Sequence, residues 1–188
     1  MKFSDPTQIV SAVGVNDASI VIDLGSGSGH YALACARHIG NEGRVYAVDI
    51  QKDLLAKLSL HSEEEQLFNI ETIWADIEKR ESIVLRDSMA DVVLLCNVLF
   101  QAENKQGTLE CAIALARPNA RIVLVDWTDS HSGMGPDPSL IFDHSAARAL
   151  IEQCEGVGIE RELDAGDHHY GMVLRVNKSN SENKTNAN

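Results

Sequence analysis

The run Ile20-Val21-Ile22-Asp23-Leu24 passes into Gly25, Gly27 and Gly29 at alternate positions, with Ser26 between the first two. A helical pattern from Tyr31 to Ile39 follows. Residues of these types at this spacing hold a ligand: a buried strand enters a tight glycine turn and then a helix N-terminus, the local geometry of a nucleotide-cofactor site in an open α/β sheet. Glycine serves because the backbone must turn sharply and let the ligand approach where a Cβ would collide. A second acid, Asp49, closes the next apolar run, about 20 residues beyond the turn, where a ribose needs an acceptor. A glycine turn without any cofactor is the plain alternative.

The spacing separates two cofactor classes. A dinucleotide site wants G-x-G-x-x-G, whereas this chain reads G-x-G-x-G and continues with His30 and Tyr31. Asp23, two residues before the first glycine, is no part of the dinucleotide fingerprint. The pattern D-x-G-x-G-x-G resembles the first motif of the class I S-adenosylmethionine-dependent methyltransferases. In that family the turn passes under the methionine part of the cofactor and binds no pyrophosphate. An acidic flank suits such a ligand, which brings a sulfonium and an ammonium.

These residues need strands to carry them. The apolar patterning predicts strands over 19–24, 44–49, 70–74, 91–96 and 121–125, then two closing strands over 159–163 and 169–176. Helices are expected over 6–13, 29–39, 52–62, 103–116 and 140–153, with Asp5 and Pro6 opening the first and Arg117-Pro118-Asn119 as a break. The 91–96 run is almost wholly apolar, as a central parallel strand should be. Strand–helix alternation ending in two adjacent strands implies a Rossmann-like, doubly wound α/β fold with a mostly parallel seven-stranded sheet and one antiparallel strand. Residues 1–176 are expected to form a single domain, and the polar run 177–188 a disordered tail.

With 188 residues, 44% hydrophobic and 23% charged, the chain can build one full core. No apolar run reaches the ~20 residues of a membrane span, and the start of the chain lacks the apolar core of a signal peptide. Cys35, Cys96, Cys111 and Cys154 lie scattered without C-x-x-C spacing, as reduced buried thiols of a cytoplasmic protein do. A net charge of −12 argues against phosphate backbones and anionic membranes as partners.

The resemblance extends beyond the first motif. The blocks 21–29, 45–49, 74–77, 90–98 and 120–126 follow the order and spacing of the class I methyltransferase fold over about residues 3–176. The closest likeness is to small, cap-less methyltransferase-domain proteins related to the ubiquinone/menaquinone-type C-methyltransferases, with Asn97-Val98-Leu99-Phe100-Gln101 and His168-His169-Tyr170-Gly171 typical of a bacterial branch. It implies S-adenosyl-L-methionine as cofactor. Gly25, Ser26, Gly27 and Gly29 would lie along its methionine and ribose, and Asp49 would accept from both ribose hydroxyls. Ile50 would pack on the adenine, Asp76 would accept from the adenine amino group, and the Ile77 amide would meet a ring nitrogen. Asn97 and Val98 would flank the methionyl part and the methyl group, and Asp23 would contact the amine. Independently of the family, open α/β sheets bind ligands beyond the carboxyl ends of their strands. Asp23, Asp49, Asp76, Asn97 and Asp126 all fall at such ends, although a single acid there can also cap a helix.

Methyl transfer is an in-line displacement accelerated by holding nucleophile, methyl and sulfur in line in a dry site, so no universal catalytic residue is required. An acceptor that loses a proton does need a base. Asp126, His168 and His169 are the catalytic candidates; His131 shares the rim, and Trp127 or Tyr170 could wall a flat acceptor. Alternatively the His168-His169 pair simply opens a strand, one ring in the sheet and one solvated. No metal is implied: Asn97 and Asp126-Trp127 are one carboxylate short of the metal-dependent catechol type, adjacent strand histidines point to opposite faces, and Cys96 stands alone where arsenic methyltransferases use thiolates. The expected partner is a small or medium, uncharged-to-cationic acceptor, with no nucleic acid and no membrane. Two other readings are a non-catalytic cofactor-binding partner subunit and a nicotinamide-dependent oxidoreductase. The acceptor pocket is expected from residues 3–7, 79–89, the loop 128–139 with its glycines at 133 and 135, and the turn before His168.

Overall fold

In the computed structural model, residues 4–131 and 135–177 are described. Strands and helices alternate: α1 (Pro6–Val13), β1 (Ile20–Leu24), α2 (His30–Ile39), β2 (Arg44–Asp49), α3 (Lys52–Glu64), β3 (Ile70–Trp74), β4 (Ala90–Cys96), α4 (Lys105–Leu115), β5 (Ala116–Trp127), α5 (His144–Gln153), β6 (Val157–Leu163) and β7 (His169–Val176). The strands form one seven-stranded sheet in the order β3-β2-β1-β4-β5-β7-β6. β7 runs antiparallel to both β5 and β6 and every other pairing is parallel. This is the expected doubly wound arrangement with one antiparallel strand.

Strand side chains alternate between two faces, and each face has its own core. Val21, Leu94, Cys96, Val123, Val125 and Val173 pack with α1 and α2 through Ile9, Val10, Val13, Ala32, Cys35 and Ile39. Ile22, Leu24, Leu95, Leu124, Met172 and Leu174 pack with α4 and α5 through Leu109, Leu115, Ala147 and Ile151. Parity therefore puts Asp23, two residues after Val21, on the α1/α2 face, and Asp126, two after Leu124, on the α4/α5 face.

Caps set the helix boundaries. The Asp5 carboxylate accepts from the Thr7 and Gln8 amides, and Gly14 closes α1 at φ +71°. The helix expected over 140–153 divides, because two aspartates compete to cap it. Asp137 accepts from the Ser139 amide at 2.8 Å and opens a short 3₁₀ turn at Pro138–Leu140; Asp143 accepts from the Ala146 amide at 2.9 Å and opens α5. The break expected at Arg117-Pro118-Asn119 lies inside β5, where pairing with β4 jumps from Ala90↔Ala116 to Val92↔Arg121. Pro118 has no amide to give a ladder, and Asn119 takes φ +63°. Of the expected tail, residues 178–188 lie outside the described residues, and Asn177 donates its amide to the Gly156 carbonyl at 2.8 Å.

Candidate functional site

The turn after β1 is held to β2. The Gly25 and Ser26 amides both donate to the Val48 carbonyl, at 2.8 and 3.0 Å. Gly25, Gly27 and Gly29 all have positive φ, at 75°, 54° and 86°. Their surroundings differ. A Cβ on Gly25 would lie 2.7 Å from Val98 Cγ2 and one on Gly29 2.3 Å from Leu58 Cδ1, whereas one on Gly27 would meet nothing within 4 Å. The outer glycines let walls close, and the middle one faces open space.

Asp49 ends β2 beneath that turn. Its Oδ2 accepts from the Gly27 amide at 2.7 Å and its Oδ1 from the Gln51 amide at 2.8 Å. Each carboxylate oxygen has further acceptor capacity, and Asp49 lines a cleft together with Gly25, Ile50 and Gln51. The Ile50 side chain is 60% exposed, an apolar group standing free at the rim. Beyond β3, Asp76 and Ile77 line the same cleft. Asp76 accepts from the Glu78 amide at 3.0 Å and pairs with Lys79 at 2.8 Å. The Lys79 ammonium and the Glu78 amide hold its carboxyl below the usual range. Val98, Gln101 and Ala102 form the opposite wall.

Glu78 ties the two walls together. It lines the cleft, and its carboxylate accepts from the Glu103 and Asn104 amides at 3.1 and 2.6 Å, just ahead of α4. Sequence reasoning missed Gln51, Glu78, Gln101 and Ala102. Glu78, two residues past Asp76 at a strand end, had a readable signal; the others depend on how the loops pack.

Three buried polar atoms around the turn have no protein partner: Asp23 Oδ2, Ser26 Oγ and Asn97 Oδ1. Buried polar groups are normally satisfied. Asp23 is 2% exposed, and burial, reinforced by the Asp49 charge, pushes its carboxyl up to about 7. Asn97 takes the left-handed conformation, φ 58°, as its amide donates to the Val125 carbonyl at 2.8 Å. A carboxylate, a hydroxyl and an amide oxygen left unmet beside a tight glycine turn fit the ammonium end of an amino-acid-bearing cofactor. With Asp49 for a diol and Ile50 for a flat ring, the donor set fits S-adenosylmethionine along its length.

The expected catalytic trio divides. Asp126 is fully buried and both its oxygens bond the backbone: Oδ2 accepts from the Phe100 amide at 3.1 Å and Oδ1 from the Trp127 amide at 2.8 Å. Expected on the rim as a base, it instead sits on the α4/α5 face, pinning the 97–102 loop, because strand alternation turns it away from Asp23. Burial raises it to about 6. His169, a catalytic candidate from a pair of which one ring was expected in the sheet and one solvated, is buried against Trp127, with ring centroids 4.1 Å apart. Burial lowers its imidazolium to about 4, so it is neutral at physiological pH. His168, the other candidate of that pair, pairs through Nδ1 with Asp129 at 2.7 Å and stacks on His131 at 4.6 Å between ring centroids.

Of the expected acceptor segments, 79–89 is organised around Arg80. Its guanidinium donates to the Ile83 and Leu85 carbonyls at 2.8 and 2.6 Å and to Asp87 at 2.9 Å, while Ile83 is buried in the core and the Ser88 and Met89 amides donate to the Ala114 and Leu115 carbonyls. Phe3 and Gly133 lie outside the described residues. Gly135 packs close to the Trp127 ring, 3.1 Å from where its Cβ would stand. Among the described residues no cluster of three or more histidine, cysteine or acidic side chains is arranged to hold a metal ion, and no helix is long and apolar enough to cross a membrane.

Comparison with known proteins identifies the family and the fold. Residues 16–155 match a family described as Methyltransferase domain. An arsenite methyltransferase from Aquipseudomonas alcaligenes is 31% identical over 114 residues, 58% of this chain and 33% of that protein. A ubiquinone/menaquinone biosynthesis C-methyltransferase from Hydrogenovibrio crunogenus is 24% identical over 115 residues, 61% of this chain and 44% of that one. The chain thus spans less than half the length of these curated relatives. Among solved structures, a SAM-dependent methyltransferase from Aquifex aeolicus superposes with a TM-score of 0.83 at 22% identity, covering 93% of this chain and 90% of its own. That likeness establishes the fold.

Proposed function

The chain belongs to the methyltransferase-domain family and has the class I S-adenosylmethionine-dependent fold, and on that premise we propose that residues 1–176 form one domain transferring a methyl group to a small or medium, uncharged-to-cationic acceptor. The observation that carries the reading is the trio of orphaned atoms, Asp23 Oδ2, Ser26 Oγ and Asn97 Oδ1, beside a glycine turn bonded to Asp49. Asp23 and Asn97 would hold the ammonium, Asp49 the ribose, and Ile50 with Asp76 and Ile77 the adenine; Val98 would border the methyl. When bound, S-adenosylmethionine supplies an electrophilic methyl group on sulfonium. The residues' own part is to orient it, exclude water and accept any proton the acceptor loses. His168, oriented by Asp129, is the candidate for that last role.

An acidic chain of net charge −12 disfavours polyanionic acceptors. A thiophilic acceptor such as arsenite finds no ready thiolate: all four cysteines are buried and free, and burial raises Cys96 well above its usual range and Cys111 to about 11. The non-catalytic subunit reading draws on Phe68 and Trp74, exposed by 74% and 60% around the edge strand β3. Methyl-labelled cofactor incubated with the protein and a panel of uncharged, cationic and anionic small acceptors tests the proposal. Label transfer to uncharged or cationic acceptors supports it; cofactor binding without any transfer supports the subunit reading.

A further inference from the structure

We propose that Trp74 is a positioning residue of the cofactor site: its indole N–H fixes Ile50, the apolar shelf on which the flat ring of the cofactor would lie. The inference rests on the methyltransferase reading and adds to that site a residue that does not itself line the cleft. Asp49, Ile50 and Gln51 form one side of the cleft, and their three consecutive carbonyls are held in different ways. The Asp49 carbonyl accepts from the Ala75 amide at 3.1 Å, and the Gln51 carbonyl from the Leu54 and Leu55 amides at 3.1 and 3.2 Å. The end of β3 and the first turn of α3 supply those bonds from backbone alone. Ile50 stands between strand and helix, and its carbonyl accepts from a side chain, Trp74 Nε1, at 3.0 Å.

The surroundings hold the indole to that bond. Trp74 lies opposite Asp49 in the parallel β2–β3 register, so its ring leaves the strand end next to Ile50. Lys52, the first residue of α3, sets its ammonium over the ring, 3.7 Å from the centroid, a cation on an aromatic face. Trp74 is nevertheless 60% exposed on the edge strand β3, so burial does not account for a tryptophan here. Its one polar atom, a donor only, is committed to Ile50. The Ile50 side chain is equally exposed; packing within the protein does little to fix it, and the backbone bond sets where it stands. A shelf ordered in advance spares a ligand the cost of ordering it on binding.

The test is a double-mutant cycle read by calorimetric titration of S-adenosylhomocysteine, with folding of each variant checked by circular dichroism. Trp74→Phe keeps a ring under Lys52 and removes the N–H; Ile50→Ala removes the shelf. The expected result is binding weakened about fivefold in Trp74→Phe, the loss of one neutral hydrogen bond, and about tenfold in Ile50→Ala, the loss of apolar contact. The double variant is expected to match Ile50→Ala, because without the shelf the N–H has nothing to position. Wild-type affinity in Trp74→Phe, or a double variant weakened roughly 50-fold as two independent effects would give, overturns the assignment. Failure of S-adenosylhomocysteine to bind wild type overturns instead the reading on which it rests.

Discussion

The Gly27 amide donates to the Asp49 carboxylate across 2.7 Å, so the turn after β1 and the acid ending β2 form one unit. Gly25 and Ser26 complete it by donating to the Val48 carbonyl. The acid proposed to hold the ribose is thereby oriented by the same glycine turn that faces open space at Gly27.

The three glycines separate on substitution. Gly27→Ala costs roughly 1–2 kcal/mol for a left-handed alanine, since its Cβ meets nothing within 4 Å. Gly29→Ala adds roughly 1–3 kcal/mol of overpacking, because Cδ1, Cδ2 and Cγ of Leu58 all lie within 3.0 Å of the new Cβ. Urea denaturation of both variants should rank Gly29→Ala as the less stable.

Asp23 makes stability fall as pH rises. Its folded pKa, about 7, lies above the ordinary carboxyl value of 3.8, so the native state holds a proton that the unfolded chain releases. The stabilisation is complete below about pH 4 and lost as pH climbs through 7, on the order of 4 kcal/mol in all. Asp126, raised to about 6, contributes with the same sign. Asp23→Asn should flatten the stability profile between pH 6 and 7 and leave a decline below 6. S-adenosylhomocysteine affinity runs the other way, tightening through pH 7 as Asp23 ionises toward the ammonium, and Asp23→Asn should abolish that trend.

Asp126→Ala leaves the Phe100 and Trp127 amides buried without an acceptor. Loss of such charge-assisted bonds costs about 3 kcal/mol or more, read as a lowered urea midpoint, with weakened cofactor affinity because the 97–102 wall is released. Asp126→Asn, which keeps an acceptor oxygen, should recover part of both.

Glu78→Ala removes the acceptor of the Glu103 and Asn104 amides. It should cost about 1 kcal/mol of stability, as losing a helix cap does, and weaken S-adenosylhomocysteine severalfold in the same titration. Glu78→Gln should fall between.

The glycine turn and the strand-end acids of the proposed cofactor half are local features. A strand, a glycine turn and a helix in succession are written in consecutive residues, and the acids follow strand ends that the apolar runs mark. The residues expected around an acceptor depend on non-local facts. That Trp127 faces His169 follows from the antiparallel register of β5 with β7, which no residue pattern declares. Asp126 was misplaced because its position at a strand end was read while its face was not: one residue decides whether a strand side chain meets Asp23 or the α4/α5 core. The helix expected over 140–153 divides because Asp137 caps a separate 3₁₀ turn and Asp143 caps α5, a choice that packing makes.

The most direct test is isothermal titration of S-adenosylhomocysteine into wild type and Asp49→Ala at pH 8, with folding of both checked by circular dichroism. Saturable one-site binding to wild type is expected, weakened about 100-fold or more in Asp49→Ala by loss of a charged acceptor for the ribose hydroxyls. No binding to wild type, or equal binding to a folded Asp49→Ala, contradicts the proposed cofactor site.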